Sequence, residues 1–337
     1  MRESKLMLFV IYVSLLLDYI EILIHQILAL VFFIQPAITP QKNKSAILVT
    51  GTSSGIGRYL VELYTSRGYI VIATVRRSED AEELTSISGR VRTILADVTD
   101  LKQCQEALKS VQDILEREDL ILHALVNNAG IQINGLSAVT TEESLRKIME
   151  VNFFGPMRMI RLFFPLLCKT GGRIINTGST TSFFPAGIVG AYGATKGALR
   201  NMTQSLQVEC YPFGLRVCEV DPGLIRSNIR SDWWSTQFKP ADDVNCTMTS
   251  ADAGSELYQR VEDVTRAFQK AVGEAMEKSA PPPWLLNAAY AHAVEGRYPL
   301  PFYHPSLDCK LMKLFNFIFT DNLKSLLMQK WATSLVK

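Results

Sequence analysis

The chain has 337 residues, of which 47% are hydrophobic and 20% are charged, so it is long enough to bury one large α/β core with attachments. Its formal net charge of +2 arises from interspersed acidic and basic residues, which gives no electrostatic case for a nucleic-acid partner. The six cysteines lack CxxC or zinc-type spacing and no histidine is a persuasive ligand, so we expect reduced packing cysteines and no metal site.

The N-terminal segment, residues 6–34, is almost wholly apolar and longer than the run of about 20 apolar residues that spans hydrocarbon. Polar residues at helical spacing form one stripe of Ser14, Asp18, Glu21 and His25. Such a stripe favours either an in-plane interfacial helix or a spanning helix with its polar face turned inward. A cleaved signal peptide ranks third, because the stretch is long and lacks a convincing cleavage site. We therefore expect residues 1–40 to be a hydrophobic membrane-associated segment of open orientation.

The first motif is a glycine-rich turn between a strand and a helix. An apolar strand signal at residues 46–49 runs directly into the turn at residues 50–57, and a helical pattern follows. Glycines there permit tight backbone geometry and let a pyrophosphate approach the helix start, where unpaired N–H groups favour anions. A plain turn with a glycine cap is the alternative. The residues expected to cradle a dinucleotide are Gly51, Ser53, Ser54, Gly55, Ile56 and Gly57.

The end of the second predicted strand, residues 69–75, bears on the choice of nicotinamide cofactor. Val75 stands where an acidic residue would hydrogen-bond the adenosine ribose and repel a phosphate on it. Arg76 and Arg77 instead supply charge that suits a 2′-phosphate. The pattern favours NADP(H), with NAD(H) as the alternative, unless these arginines belong to a solvated turn.

Strands and helices then alternate. Strand signals at residues 91–95, 122–126, 173–177 and 215–220 are separated by helical stretches such as 101–116 and 141–168. This alternation predicts a parallel sheet with helices on both faces. Right-handed crossovers bring the carboxyl ends of the strands to one edge, where open α/β sheets bind ligands. The strand ends expected at that edge carry Gly51, Asp97, Asn128, Ser179 and Pro222.

Tyr192 and Lys196 stand four residues apart, so on a helix an ammonium can sit beside a phenol and favour its ionised form. A free phenol has a pKa of about 10, so it exchanges protons efficiently at neutral pH only if its surroundings lower that value. The pair alone is weak support for catalysis. Ser179, thirteen positions upstream, adds a hydroxyl at a strand end.

Together these motifs resemble the short-chain dehydrogenase/reductase family, in its single-domain branch, over residues 45–227. The resemblance rests on the glycine turn, Asn127-Asn128-Ala129-Gly130 after a strand, Asn152 in a helix, the Tyr192 and Lys196 pair, and Pro222-Gly223 after a strand. It implies a Rossmann-like, doubly wound parallel sheet, with an N-terminal membrane helix and a C-terminal helical extension attached. It also implies an NAD(P)(H)-dependent oxidoreductase acting on CH–OH groups.

The resemblance also implies roles for individual residues. Tyr192 gives a proton to a carbonyl as hydride arrives, or removes one from an alcohol in reverse. Lys196 keeps that phenol acidic and binds the nicotinamide ribose, and Ser179 orients the substrate oxygen. Asn152 holds a water that links Lys196 to solvent. Further implied cofactor contacts are Asp97, Val98, Asn128, Ala129, Gly130, Pro222, Gly223, Ile225 and Ser227, although Asn128 reads as mainly structural.

The C-terminal third carries fewer signals. We expect residues 41–337 to form one domain, with a lid around 228–280 and a C-terminal extension at 281–337. Helical patterns cover residues 256–277 and 284–294. The tail is apolar and basic together, which suits a membrane-facing surface or packing against the sheet or a second subunit.

The substrate is indicated by pocket character alone. Phe183-Phe184 and Trp233-Trp234 flank the expected pocket, and a membrane-seeking N-terminus favours an apolar substrate such as a steroid, retinoid or keto-lipid. Residues 297–311 also resemble the end of retinol and hydroxysteroid dehydrogenases. We expect a membrane-associated enzyme of the endoplasmic reticulum that forms a homodimer. A non-catalytic dinucleotide-binding sensor or scaffold at a membrane is the alternative.

Overall fold

The computed structural model describes residues 5–184, 186–226 and 256–336. Within these residues one sheet holds seven strands: β1 (Ser45–Val49), β2 (Ile70–Val75), β3 (Val91–Leu95), β4 (Ile121–Asn127), β5 (Arg173–Thr177), β6 (Arg216–Val220) and β7 (Phe302–Tyr303). All neighbours are parallel, in the order β3-β2-β1-β4-β5-β6-β7. The strand order reverses between β1 and β4, which opens a crevice at their carboxyl ends. The predicted doubly wound parallel sheet is confirmed.

The helices in the described ranges are α1 (Lys5–Val31), α2 (Gly55–Ser66), α3 (Ser78–Thr85), α4 (Leu101–Arg117), α5 (Glu142–Met149), α6 (Gly155–Thr170), α7 (Gly190–Glu209), α8 (Glu256–Ser279), α9 (Asn287–Glu295), α10 (Leu307–Ile318) and α11 (Asp321–Val336). They cover both faces of the sheet. Ile47 and Val49 of β1 share a core cluster with α2 and α9, whereas Ala46 and Leu48 share one with α4 and α6. Side chains alternate between the faces of a strand, so a strand covered on both sides is apolar throughout.

Three local features were not predicted. The helical stretch expected over residues 141–168 is interrupted by a π-helical turn, Glu150–Phe154, between α5 and α6. Strand β4 carries a bulge, because Ala46 pairs with Leu122 while Ile47 pairs with Ala124, which leaves His123 as the extra residue. Strand β7 has only two residues, so no periodic pattern marks it.

Helix α1 covers most of the predicted N-terminal segment and is long and apolar enough to cross a membrane. It lies against the folded domain. Ile11 is buried in the same core cluster as α2 and α9, and Met7, Leu15 and Ile22 pack against that cluster. The face of α1 that carries the polar stripe is therefore turned towards protein.

Candidate active site

A cavity of about 830 Å³ lies at the carboxyl ends of the strands, within the range of small-molecule sites. Predicted site residues from seven separate segments of the chain meet there. Those that line it are Gly51, Ser53, Ser54, Gly55, Ile56, Arg76, Asp97, Val98, Asn128, Ala129, Gly130, Ser179, Tyr192, Lys196, Pro222, Gly223 and Ile225. Of the other predicted site residues, Gly57 packs beneath the glycine turn and Asn152 lies behind the cavity wall. Ser227 lies outside the described residues.

The glycine turn leaves room for a ligand to approach the backbone. Gly51 and Gly55 have φ values of +67° and +57°, which residues with a Cβ rarely adopt. A Cβ on Gly51 would lie 2.7 Å from the Ala129 Cα, and one on Gly57 would lie 2.1 Å from the Gly51 carbonyl oxygen. Because α2 begins at Gly55, its unpaired N–H groups lie at this turn and favour an anion. The turn therefore fits the pyrophosphate of a nicotinamide dinucleotide.

Asn128 holds this turn in place. Its Nδ2 donates to the carbonyl oxygens of Thr50 and Gly51, each at 3.1 Å. Its backbone N–H donates to the Thr50 hydroxyl at 3.0 Å. The amide is thus engaged with protein, which is the structural role that the sequence favours for Asn128.

Tyr192 and Lys196 lie one turn apart on α7, facing Ser179 at the end of β5. The Tyr192 hydroxyl hydrogen-bonds the Ser179 side chain, which also accepts from the Thr181 N–H at 3.2 Å. Lys196 is 4% exposed, and its Nζ lies 5.8 Å from the centre of the Tyr192 ring. That Nζ donates to the Thr177 carbonyl oxygen at 2.7 Å. The structure therefore brings a phenol, a hydroxyl and an ammonium together in one wall of the cavity.

The electrostatics of this wall differ from the sequence expectation. Burial raises the pKa of Tyr192 to about 12, and the Asp221 charge adds to that rise while the Ser179 hydrogen bond opposes it. Burial lowers the pKa of Lys196 to about 8, against the opposing effect of the Glu219 and Asp221 charges. The expectation that Lys196 makes the phenol acidic does not hold for the chain by itself. At neutral pH the phenol is protonated and the lysine is mostly charged.

Asn152 lies in the π-helical turn and is fully buried. Its Oδ1 accepts from the Ile131 N–H, and its Nδ2 donates to the Ile131 carbonyl oxygen, both at 2.9 Å. The same Nδ2 donates to the Thr195 hydroxyl at 3.0 Å. A Cβ on Gly130 would lie 3.3 Å from the Asn152 Oδ1 and 3.8 Å from the Lys196 Nζ, so both groups border the same small space.

A buried charge cluster behind Ser179 was not predicted. Arg200 donates to Glu219 at 3.1 Å and to Asp221 at 2.8 Å, and both carboxylates are fully buried. The Ser179 backbone N–H opposes the rise in the pKa of Asp221. Burial raises the pKa of both carboxyl groups, whereas Arg200 opposes the shift. The cluster lies against the backbone just before Ser179, which explains the glycine at position 178, where a Cβ would lie 2.2 Å from the Asp221 Oδ1.

The two arginines after β2 have different surroundings. Arg76 lines the cavity, next to Val75 at the strand end. Arg77 is 71% exposed and forms an ion pair with Asp80 at 2.7 Å. Of the two cations predicted near a 2′-phosphate, the structure places Arg76 at the cavity and engages Arg77 elsewhere.

The other end of the cavity is apolar. Phe184 lines it together with Met312 of α10, and Met328 and Trp331 of α11. The last three are not among the predicted site residues, because the sequence leaves open whether the C-terminal tail faces a membrane or packs against the sheet or a second subunit. Their spacing on two helices carries no signal for a pocket.

The paired aromatics predicted at the pocket are only partly placed there. The expectation is wrong for Phe183, whose ring stacks edge-on with His304 at 5.7 Å and against the Arg200 guanidinium at 5.1 Å. Trp233 and Trp234, with most of the predicted lid, lie outside the described residues.

Comparison with known proteins identifies the family. The profile described as short chain dehydrogenase matches residues 45–237, which is more than half of the chain. The chain belongs to the short-chain dehydrogenase family. It is therefore a dehydrogenase or reductase that acts on CH–OH or carbonyl groups, and members of the family bind NAD or NADP.

Relatives of this short-chain dehydrogenase include steroid and retinoid enzymes. It is 32% identical to estradiol 17-beta-dehydrogenase 2 of Mus musculus, over 78% of this chain and 68% of that one. It is 28% identical to retinol dehydrogenase 5 of Homo sapiens, over 81% and 84% of the two chains. A solved short-chain dehydrogenase from Streptomyces avermitilis is 26% identical, with a TM-score of 0.66, over 88% of this chain and 98% of that one. The chain spans 59% of the length of a fungal relative, the short-chain dehydrogenase anuB of Penicillium roqueforti, to which it is 37% identical over 52% of its own length.

Proposed function

We propose that this short-chain dehydrogenase uses NADP(H) to interconvert an alcohol and a ketone or aldehyde on an apolar substrate, with residues 41–337 as one catalytic domain. One observation carries the proposal. Tyr192 is hydrogen-bonded to Ser179, with buried Lys196 one turn away, where the glycine turn and the apolar end share a cavity. A sensor that only binds a dinucleotide needs no such group of proton-transferring side chains.

Several residues fit a nicotinamide cofactor, which supplies or accepts the hydride when it is bound. The turn at Gly51 and Gly55 would take the pyrophosphate. Arg76 would pair with a 2′-phosphate through its guanidinium, which favours NADP(H) over NAD(H). Lys196 uses one of its three N–H donors on Thr177, so two remain for ribose hydroxyls.

The proton steps fall to this chain's own side chains. In the reductive direction Tyr192 gives its proton to the substrate oxygen, while Ser179 orients that oxygen by a hydrogen bond. The space bordered by the Asn152 Oδ1 and the Lys196 Nζ would hold the water that returns a proton to the phenol. Asn152 has a second task, because its amide also fixes the chain at Ile131.

The substrate class follows from the apolar end of the cavity. Phe184, Met312, Met328 and Trp331 offer aromatic and flexible apolar contacts that suit a steroid, retinoid or keto-lipid. The printed names of estradiol 17-beta-dehydrogenase 2 and retinol dehydrogenase 5 agree with such a class. With the apolar helix α1, they support a membrane-associated enzyme. We place it at the endoplasmic reticulum and infer a homodimer.

Replacing Tyr192 with phenylalanine tests the proposed chemistry. Loss of a general acid lowers kcat by about 10²–10⁴-fold. NADPH binding, followed by the fluorescence of the reduced nicotinamide, should be retained. The matched control is Tyr59→Phe, since Tyr59 donates to Asn287 and does not line the cavity.

The assay uses detergent-solubilised protein with steroids, retinoids and keto-lipids, and follows nicotinamide absorbance. Turnover by Tyr192→Phe at the level of Tyr59→Phe would remove Tyr192 as the proton donor. NADPH binding by the unaltered protein without turnover of any compound would support the sensor alternative.

A further inference from the structure

Helix α1 is held against the folded domain along most of its length. Ile11 and Ala29 are buried, and Met7, Leu15 and Ile22 pack on the domain core. At about 1.5 Å per residue, the stretch from Met7 to Ala29 covers about 33 Å, which is close to the thickness of the hydrocarbon layer. A helix held sideways over that length cannot leave the domain and cross a bilayer as well.

The polar stripe strengthens this attachment. Asp18 forms an ion pair with Lys310 of α10 at 2.8 Å, and each side chain is only 13% exposed. The Lys310 ammonium also donates to the Ser14 hydroxyl at 3.0 Å and to the His304 carbonyl oxygen at 2.6 Å. An ammonium has three N–H donors, so all three are used and two of them bind α1. We call Ser14, Asp18, His304 and Lys310 the Lys310 clamp.

The opposite side of α1 is apolar and exposed. Soluble monomers rarely expose a contiguous apolar patch of more than a few hundred Å² without an interaction partner. Helix α10 packs beside α1 through the Lys310 clamp, and α11 follows it directly. Large exposed apolar residues include Phe9, Leu16 and Ile24 on α1, Leu314 and Phe317 on α10, and Leu326 on α11.

Helices α10 and α11 also bound the cavity. Met312 of α10 and Met328 of α11 line it, while their chain neighbours Leu311 and Leu327 are exposed. A single helix layer therefore separates the apolar end of the cavity from the outer apolar surface.

We propose that the outer faces of α1, α10 and α11 form one surface that docks in the plane of a lipid bilayer, and that apolar substrate passes between the bilayer and the cavity at α10 and α11. The passage of apolar substrate rests on the proposed function. A bilayer suits this surface better than a second copy of the chain. Tyr12 and Tyr19 of α1 are 69% and 65% exposed, and such side chains, with an apolar ring and a polar tip, favour the membrane interface.

The position of α1 is tested by labelling in sealed phosphatidylcholine proteoliposomes. Cysteines are introduced by Lys5→Cys and Asn43→Cys, at exposed positions on either side of α1, and treated with a membrane-impermeant maleimide. Peptide-resolved mass spectrometry separates them from the native thiols. Both sites should react to the same extent from the outside. Reaction of one site only after detergent is added would show a spanning helix and overturn the proposal.

Two further arms make the result independent of catalysis. The labelling needs no turnover, so it is repeated in Tyr192→Phe, and failure of the proposed chemistry leaves it unchanged. Flotation with phosphatidylcholine vesicles is measured for the same protein. A dimer that does not float would assign the apolar surface to a second copy and overturn the proposal.

Substitution in the Lys310 clamp tests the passage of substrate. Lys310→Glu should raise the KM for a long-chain ketone carried in vesicles about tenfold, and change kcat for a short water-soluble ketone less than about twofold. The swap Asp18→Lys with Lys310→Glu should restore the vesicle KM. Lys102→Glu is the control, because it makes the same charge change at a side chain of α4 that is 85% exposed. Equal effects of Lys310→Glu and Lys102→Glu would contradict the role of the clamp.

Discussion

Replacing Arg200 with methionine tests the buried charge cluster, because methionine keeps much of the side-chain bulk and removes the charge. Arg200 hydrogen-bonds both Glu219 and Asp221, and its own side chain is only 17% exposed. Breaking a buried ion pair by removing one partner costs about 3–5 kcal/mol, since an uncompensated charge remains. At about 2–4 °C per kcal/mol for a protein of this size, the Tm should fall by about 6–20 °C.

The fall in Tm of Arg200→Met should depend on pH and be larger at high pH than at low pH. Burial already raises the pKa of Glu219 and Asp221 above their values in the unfolded chain, and removal of Arg200 raises it further. The folded variant then binds more protons than the unfolded chain. Its stability is therefore kept at low pH and lost as the pH rises through the raised pKa. We expect a larger deficit in Tm at about pH 8 than at about pH 5.5.

The assay is thermal unfolding of the detergent-solubilised protein at both pH values. The control is Arg146→Met, because Arg146 is 78% exposed and pairs with Glu142 on the outer face of α5, so its Tm should change by about 1 °C or less. Adding Asp221→Asn to Arg200→Met should recover part of the loss, because one unpaired charge is removed. A deficit no larger than that of Arg146→Met, or equal at both pH values, would refute the reasoning.

Three further predictions concern the cavity. Arg76→Ala should raise the KM for NADPH at least about tenfold and leave the KM for NADH within about twofold. The control Arg77→Ala should change neither KM, because Arg77 is paired with Asp80. Equal effects of Arg76→Ala on both cofactors would contradict an ion pair with the 2′-phosphate. Reductase activity should fall as the pH rises through about 8, where Lys196 loses its charge. The free energy of unfolding should rise over the same range, because the unfolded chain, with its higher lysine pKa, still binds the proton. A fall of activity and stability together would point to unfolding instead. Gly51→Ala should weaken NADPH binding and lower the Tm, because the new Cβ would lie 2.7 Å from the Ala129 Cα at a position with positive φ. The control Gly89→Ala should change neither the Tm nor NADPH binding, because no atom lies within 4 Å of its Cβ position.

Much of the fold could be predicted from the sequence, because it depends on short apolar runs and turn residues that recur along the chain. Apolar runs at residues 46–49 and 70–73 mark strands covered on both faces, and the glycines at 51 and 55 require a turn that few other residues allow. Motifs at strand ends fall at one edge by topology alone. The meeting of Tyr192 with Ser179 in the cavity could therefore be expected from their elements.

What could not be predicted depends on contacts between distant parts of the chain. Arg200 is an ordinary polar position on a helix until α7 packs beside β6 and places it between Glu219 and Asp221. Phe183 turns away from the cavity because Arg200 and His304 lie behind it. Burial of whole side chains sets the pKa of Tyr192, and the spacing of two residues on a helix carries no information about burial.

The charges around Tyr192 bear on the direction of proton transfer. With the pKa of Tyr192 at about 12, the phenol holds its proton at neutral pH and is suited to give it to a carbonyl oxygen. Removal of a proton from an alcohol requires the opposite state. The buried carboxylate of Asp221 hinders that state, since negative charge near a phenol disfavours the phenolate. A bound oxidised nicotinamide would supply a positive charge that opposes this effect, whereas a reduced one would not. We therefore expect alcohol oxidation to show a stronger dependence on pH than carbonyl reduction, with its rate still rising above neutral pH until Lys196 loses its charge near pH 8.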